Sequence, residues 1–378
     1  MRQPPAAALP HLPVRHLAFR FGDDTPFQWN PANPFFGFAM NCLSFVAPPF
    51  ERYIVGGLRL AMARIGDPAL RAAADAFLRQ EAQHARAHRL HVAALTRQYP
   101  GLAEVSAEIE RRFDVLLETE PLEFHLAYAA DIEATFTPLF NVWLRHRDTL
   151  FDNGDRRVAS LFLWHLVEEI EHRSAAYVIY NAVVADRWYR LKVMPRVFAH
   201  MLGCSSTIFR GFDRHVPFEA RRAPAGELAL GPAELGAKLR RLWPFGPGAA
   251  RPTYPDQLAG VPRTELLRML YRLVRSQHPR HSPADEPIPP FADEWLAAHA
   301  RGRDVVNWYA EGLCPRIQFG PPSSPSPADA GEGTEPTRFV ADGRHGSDSF
   351  SRTAGECQDG GPKWLVGQSH AQDDRAAH

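Results

Sequence analysis

The feature that most constrains this chain is the stretch from Trp164 to His172, where three metal-binding side chains recur at helical spacing. His165, Glu169 and His172 are four and then three residues apart, so an α-helix places all three on one face. Apolar residues before and after the stretch keep the same rhythm, which predicts that this face is buried. Because burying a carboxylate and two imidazoles without partners costs on the order of several kcal/mol each, we expect a metal ion to compensate them.

A second helix with metal-binding side chains is predicted from Pro68 to about Gln98. It is rich in alanine, has almost no helix breakers, and carries Glu81 and His84 at core positions of its apolar face. These two residues form a Glu-x-x-His motif, which is weak evidence when it stands alone. His88 and His91 continue the same face, and the sequence leaves open whether they lie close to the site or partly exposed near the end of the helix.

Two further segments each place one carboxylate on an apolar face. The segment 34–65 carries Glu51, although an acid near the start of a helix is also explained by the helix dipole. The pair Pro48-Pro49 is expected to kink this segment or to divide it into two helices. The helix predicted from Pro121 to about Arg147 carries Glu133 as the single carboxylate of its apolar face.

Taken together, four helices each contribute a carboxylate, and two of them add a histidine three residues later: Glu51, Glu81 with His84, Glu133, and Glu169 with His172. This is the ligand set of ferritin-like dinuclear carboxylate sites. Glutamates can bridge two divalent ions, and four carboxylates leave such a buried site roughly neutral. The mixed oxygen and nitrogen set favours two iron ions, with manganese or zinc as alternatives. His165 is either a third nitrogen ligand or a core histidine behind the site.

Composition excludes several other classes of protein. Lys+Arg and Asp+Glu both total 43, so no basic field attracts nucleic acid. The four cysteines form no CxxC pair, which argues against a zinc knuckle or a disulfide scaffold. The N-terminus has no signal-peptide pattern, and no apolar run of about 20 residues predicts a membrane span. We therefore expect a soluble, cytoplasmic protein without a nucleic-acid or membrane partner.

The pattern as a whole predicts an all-α protein, namely a ferritin-like four-helix bundle with additional C-terminal helices and a disordered tail. Residues 1–33 are Pro-rich and predict an extension, and residues 34–215 predict the bundle. Residues 216–319 predict a helical extension, and residues 320–378 are poor in apolar residues and predict disorder. Short helices are predicted at Glu234–Trp243, Thr264–Ser276 and Ala292–His299. Residues 102–119 predict an amphipathic connection between two bundle helices. The helix that carries His165 is expected to reach about Ala185.

Four motifs give the chain a resemblance to a known family: Asn41-Cys42-Leu43-Ser44, Asp67-Pro68-Ala69-Leu70-Arg71, Gln80-Glu81-Ala82-Gln83-His84 and Trp164 to His172. Over roughly residues 15–300 the chain resembles the bacterial family catalogued as predicted metal-dependent hydrolases. That resemblance implies a ferritin-like helical fold and the metal ligands named above. The chain departs from the family pattern Pro-x-Gly-Glu, since it has Pro48-Pro49-Phe50-Glu51 before the first ligand. Phe50 is expected to narrow or reshape the pocket.

The ligand pattern of His165, Glu169 and His172 is also similar, more distantly, to that of the di-iron arylamine N-oxygenases, which have an extra histidine. Three functions follow from the sequence. The first is a di-iron oxygenase or oxidase that uses dioxygen and an electron donor on a small organic substrate, with Thr137 handling protons. The second is a dinuclear hydrolase, and the third is an iron-binding or storage protein. The alternative for Thr137 is a core hydroxyl that is hydrogen-bonded to the backbone. The sequence leaves open whether the protein forms a homodimer.

Overall fold

The computed structural model describes residues 12–184, 186, 188–230 and 254–306, and every regular element within these residues is helical. This confirms the predicted all-α class. The described residues belong to one compact unit, which spans Met1–Arg316. The helices are α1 (Pro34–Ala61), α2 (Pro68–Gln98), α3 (Leu102–Thr119), α4 (Leu122–Arg145), α5 (Arg147–Leu150), α6 (Arg156–His172), α7 (Ala175–Val183), α8 (Tyr189–His215), α9 (Phe218–Arg221), α10 (Arg263–Ser276) and α11 (Pro290–Ala300).

The four helices that carry the predicted ligands pack as a bundle. Helix α1 packs against α2 and α4, and α6 packs against the same two helices, so the four close around a common interior. Two apolar clusters fill the space on either side of this interior. The third helix, α3, packs on α1 and α8 and is a regular helix over the residues expected to form an amphipathic connection. The bundle therefore brings together the apolar faces on which the ligands were predicted.

Both ends of α2 are determined by local sequence, and both agree with the prediction. The Asp67 carboxylate accepts a hydrogen bond from the backbone N–H of Ala69 at 2.8 Å, and Pro68 occupies the first helical position. An aspartate cap followed by proline satisfies or removes donors that a helix start leaves unpaired. The helix ends at Gln98, before the sequence Tyr99-Pro100-Gly101.

The prolines inside α1 do not divide it. The helix is continuous from Pro34 to Ala61 through Pro48 and Pro49, and both prolines are buried. An interior proline costs about 3 kcal/mol in an isolated helix. In this bundle α1 is enclosed by α2, α3, α4 and α8, and burial of its apolar side chains outweighs that cost. Of the two expected effects of these prolines, a kink or a division, the division into two helices is therefore wrong for this segment.

The helix that carries His165 is shorter than predicted. Helix α6 ends at His172, and α7 begins three residues later, whereas a single helix to about Ala185 was expected. The Arg173 guanidinium donates to the backbone carbonyl of Ile170 at 2.7 Å and so satisfies one of the acceptors that the helix end exposes. No proline or glycine marks this end, so periodicity alone extends the helix too far.

The segments outside the bundle agree with the sequence where they are described. Residues 12–33 lie against the helices, with Phe19, Phe27 and Trp29 buried. Helices α10 and α11 lie at the positions of the two last predicted short helices. The predicted piece Glu234–Trp243 and the predicted tail 320–378 lie outside the described residues. None of the helices described here is long and apolar enough to cross a membrane.

Candidate metal centre

The structure brings all seven predicted ligands into one polar cluster inside the bundle, which we call the metal centre. Each of the seven is at most 5% exposed: Glu51 on α1, Glu81 and His84 on α2, Glu133 on α4, and His165, Glu169 and His172 on α6. The sequence predicted these side chains from helical periodicity alone. The bundle closes α1, α2, α4 and α6 around them, so the residues share one interior although they are far apart in the chain.

Four of these residues form one compact group of potential ligands. Glu81, His84, Glu169 and His172 each offer one ligand atom, and these atoms all lie within 4.8 Å of one another. The His172 Nε2 atom lies 3.2 Å from Glu81 Oε1 and 3.6 Å from Glu169 Oε1. The His84 Nδ1 atom lies 3.4 Å from the same oxygen of Glu169. Two carboxylates and two imidazoles from α2 and α6 therefore converge on one point.

A second group lies beside the first. Glu51, His84 and His165 also place one ligand atom each within 4.8 Å of one another. The His165 Nε2 atom lies 2.9 Å from Glu169 Oε1 and 3.6 Å from Glu51 Oε1. One oxygen of Glu169 thus lies within 3.6 Å of a nitrogen of all three histidines. This central carboxylate therefore contacts histidines of both groups.

Glu133 lies at the edge of the centre, outside both groups. Its Oε2 atom is 3.7 Å from His172 Nδ1, and its side chain is buried. The neighbouring carboxylates Glu169 and Glu81 contribute, after burial itself, to raising its pKa. Glu133 therefore faces the same interior from α4.

The polar atoms of the centre lack the partners that burial requires. Buried polar groups are hydrogen-bonded in the large majority of cases, and unpaired ones are costly. Atoms of the centre that are buried without any hydrogen bond are Glu51 Oε2, both carboxylate oxygens of Glu81, His84 Nδ1, Glu169 Oε2 and both ring nitrogens of His172. The carboxylate oxygens, His84 Nδ1 and one of the two His172 nitrogens can each offer a lone pair to a cation. The residues present therefore fit a metal ion, which would satisfy several of them at once.

The electrostatics of the centre also favour a cation. Burial raises the pKa of Glu51, Glu81 and Glu133 well above the usual range, and repulsion from neighbouring carboxylates adds to it. Burial acts to raise the pKa of Glu169 as well. The neighbouring imidazoles, above all that of His172, nevertheless hold its pKa well below the usual value of a glutamate. These shifts disfavour ionisation of Glu51, Glu81 and Glu133, and a cation at the centre would offset that cost.

A buried carboxylate that was not predicted orients His84. The His84 Nε2 atom donates to Glu168 Oε2 at 2.9 Å, which leaves Nδ1 facing the centre. Glu168 is fully buried and also accepts a hydrogen bond at 2.9 Å from Arg15, which lies before the first helix. Carboxylates in this position behind a ligating histidine fix its ring orientation and raise its basicity. Glu168 directly precedes the predicted residue Glu169 in the chain, which is the one signal in the sequence that could have pointed to it. Nothing in the sequence relates Arg15 to the site.

His88 and His91 are fully buried, so the alternative that placed them partly exposed is wrong. Ser44 of α1 lies between them, and its Oγ atom is 2.8 Å from the Nδ1 atom of each ring. The Nε2 atom of His88 is 2.6 Å from His165 Nδ1. Ser44 on α1 and His165 on α6 thus supply the polar partners that allow His88 and His91 to be buried. Because these partners lie on other helices, periodicity within α2 cannot predict them.

Aromatic side chains and one hydroxyl complete the surroundings. Phe77 packs on the His172 ring at 4.8 Å and Trp164 packs edge-on against His84 at 4.9 Å between centroids. The Thr137 hydroxyl donates to the backbone carbonyl of Glu133 at 3.0 Å, which is the bond of a core hydroxyl. Phe50 packs among Phe113, Tyr128 and Phe136 in the adjoining apolar cluster.

The fold and the centre together define a class: an all-α protein with a buried carboxylate and histidine cluster suited to a metal ion. Residues 13–223 match the model of a family described as predicted metal-dependent hydrolase. Because the match covers more than half of the chain, the chain belongs to this family, which confirms the resemblance drawn from the motifs. The matched range includes every residue of the metal centre. No curated protein and no solved structure matches the chain significantly.

Proposed function

We propose that this member of the family is a dinuclear iron enzyme that uses dioxygen to oxidise a small organic substrate. The observation that carries the proposal is the set of donor atoms, in which four glutamates and three histidines from four helices are buried together. The two groups of potential ligands share His84, and Glu169 of the first group contacts His165 of the second at 2.9 Å, which favours two ions rather than one. Oxygen and nitrogen donors without cysteine suit iron or manganese better than structural zinc.

Glu51, Glu81, His84, Glu133, His165, Glu169 and His172 would hold the two ions. Two iron ions bound there would supply reductive activation of dioxygen. The chain's own residues provide the conditions for that chemistry. The four glutamates provide the negative charge that balances two divalent ions in a buried site. Phe77 and Trp164 cover the rings of His172 and His84 and exclude water from that side of the centre.

Thr137 is the proposed group for handling a proton at the centre. Its hydroxyl is buried one helical turn after Glu133 and bonds the carbonyl of that residue. The hydroxyl is free to change its bonding partner by rotation about χ1, because a helical threonine populates two rotamers. Oxidation of a substrate with dioxygen also requires an electron donor, which we propose as a partner of the protein.

A second candidate function is hydrolysis of a small substrate, and the description of the family favours it. A pair of divalent ions would then supply hydroxide near neutral pH by lowering the pKa of water. The residues that hold the metals would be the same. The two candidates therefore differ in the metal and in the response to dioxygen, and an experiment on those two properties separates them.

The test is metal analysis followed by rapid mixing with dioxygen. The full-length protein is purified without air from iron-replete cells, its metal content is measured, and the reduced form is mixed with dioxygen in a stopped-flow spectrophotometer. About two irons per chain and a transient visible absorbance band are expected. Stoichiometric zinc or manganese with no response to dioxygen would overturn the oxygenase proposal and favour hydrolysis.

Two variants and one control tie the result to the metal centre. Glu81→Ala and His172→Ala are expected to lower the metal content, because each removes a donor from the compact group on α2 and α6. Glu104→Ala is the matched control, since Glu104 is an exposed glutamate on α3. A metal content that is the same in all three variants would show that the metal lies elsewhere.

A further inference from the structure

A row of four buried polar side chains leads away from the metal centre behind His165. His88 Nε2 lies 2.6 Å from His165 Nδ1, and Ser44 Oγ lies 2.8 Å from the other nitrogen of His88. The same hydroxyl lies 2.8 Å from His91 Nδ1. All four side chains are at most 3% exposed, and they come from α1, α2 and α6. We call this row the histidine–serine chain.

Each member of the chain carries a single proton that it can donate. His88 and His91 are fully buried, and their hydrogen bonds run to Ser44 and His165 rather than to a carboxylate, so burial favours the neutral form of both rings. A His165 ring that binds a metal ion is neutral as well. A neutral imidazole has one N–H donor and one acceptor nitrogen. Because each contact needs one donor and one acceptor, a chain in which the Ser44 hydroxyl donates to one of its two histidines can run in only two directions.

The two directions differ at the nitrogen that faces the metal centre. In the first, His165 Nε2 donates to Glu169. His91 Nδ1 then donates to Ser44, Ser44 donates to His88 Nδ1, and His88 Nε2 donates to His165 Nδ1. In the second, His165 Nδ1 donates to His88, His88 to Ser44, and Ser44 to His91, so that His165 Nε2 has a free lone pair. A metal ion can bind His165 Nε2 only in the second direction.

We propose that His88, Ser44 and His91 form a positioning chain that fixes the tautomer of His165 and holds its Nε2 atom toward the metal centre. The proposal rests on the proposed metal site and deepens it by assigning residues behind one ligand. Hydrogen bonds to the second nitrogen of a ligating histidine typically contribute about 10–100-fold to metal affinity. His88 serves His165 in this way, as Glu168 serves His84.

The outer end of the chain gives the proposal a distinctive consequence. His91 Nε2 has no hydrogen-bond partner, and Phe21 and Phe162 lie near its ring. This nitrogen is unpaired in both directions of the chain, so the choice between them is made at the His165 end. Metal binding at His165 is therefore expected to move the proton of His91 from Nδ1 to Nε2, three hydrogen bonds away.

The first experiment measures this proton directly by NMR. Full-length protein with ¹⁵N-labelled histidine is compared with and without Zn²⁺, which is diamagnetic, and ring nitrogen shifts report the tautomer of each histidine. His91 is expected to change from the Nδ1–H to the Nε2–H form on loading. His200, which pairs with the Tyr128 hydroxyl at 2.9 Å outside the chain, is the internal control and is expected to remain unchanged.

Variants separate the proposal from the metal site itself. Ser44→Ala interrupts the chain, so Zn²⁺ is expected to bind while His91 no longer responds. His88→Phe is expected to weaken Zn²⁺ binding about 10–100-fold, measured against a chromophoric chelator. His88→Gln, whose amide oxygen can accept from His165 Nδ1, is expected to restore part of that affinity. Circular dichroism checks that each variant keeps its helices.

The outcomes are distinguishable. If Zn²⁺ binds tightly and His91 keeps one tautomer with and without it, the positioning chain is refuted and the metal site stands. Equal affinity of wild type and His88→Phe for Zn²⁺ would also refute the chain. If no metal binds to the wild-type protein, the metal site and the chain are both refuted.

Discussion

Glu168 allows the sharpest test of how the protein prepares its metal centre. Its carboxylate accepts one hydrogen bond from His84 and one from Arg15, each at 2.9 Å, and it is fully buried. Replacement by glutamine keeps the size and one acceptor oxygen but removes the negative charge. The His84 ring then loses a charge-assisted hydrogen bond, and Arg15 keeps Glu171 as its only carboxylate partner among the described residues.

The expected magnitude follows from these contacts. A hydrogen bond to a charged group contributes about 1.5–3 kcal/mol, and loss of a partner behind a ligating histidine typically weakens metal binding about 10–100-fold. The second figure corresponds to about 1.4–2.7 kcal/mol, so the two estimates agree. We therefore expect Glu168→Gln to raise the Kd for Zn²⁺ or Fe²⁺ about 10–100-fold while the helical content is unchanged.

Chelator competition on the full-length protein measures this change. Glu171→Gln is the matched control, because Glu171 is a glutamate of the same turn that binds Arg15 and Gln80 but does not contact His84. Its effect on Kd should be much smaller than that of Glu168→Gln. Equal effects of the two variants would mean that Arg15, rather than the bond to His84, transmits the perturbation. An unchanged Kd for Glu168→Gln would refute the role assigned to this carboxylate.

Three further predictions concern the stability of the protein. Divalent metal at about 100 times its Kd should stabilise the fold by about 2.7 kcal/mol, seen as a higher Tm that a chelator reverses; a Tm independent of metal would contradict the site. Phe50→Ala should cost about 3–5 kcal/mol in chemical denaturation, because the ring is buried in an aromatic cluster, and a cost below about 1 kcal/mol would contradict that packing. Burial lowers the pKa of His91 from 6.5 to about 3, so between these values the unfolded chain binds a proton that the folded chain does not. Stability should therefore fall as the pH falls through this window, and His91→Gln should show a shallower slope than wild type; parallel slopes would contradict the burial of a neutral ring.

Phe50, where the chain departs from the family pattern, packs in an aromatic cluster beside the metal centre. The sequence suggested that a large residue before Glu51 reshapes the pocket. In the structure the ring packs against Phe113 of α3 and against Tyr128 and Phe136 of α4. Glu51 remains buried and within 3.6 Å of His165. The bulky residue thus belongs to the apolar cluster beside the centre, and it leaves the carboxylate at the site.

The sequence by itself determined the helices and the faces that carry the ligands, because both depend on local periodicity. Helix α2 has its predicted ends, since Asp67 caps one and Tyr99-Pro100-Gly101 follows the other. The Glu-x-x-His spacing on α2 and α6 fixes which side chains share a face before any packing is known. Periodicity failed at His172, where no breaker residue marks the end of α6 and the Arg173 side chain satisfies an exposed carbonyl.

Only the tertiary structure decided what lies behind each ligand. Arg15 reaches Glu168 across 153 residues, and Ser44 joins two histidines of α2 from a different helix. Such hydrogen bonds depend on how neighbouring helices are shifted and rotated relative to one another, and they are directional over a few tenths of an ångström. Periodicity within one helix contains no information on that register. The side chains that share the buried cluster could therefore be predicted from the sequence, whereas the groups that orient them could not.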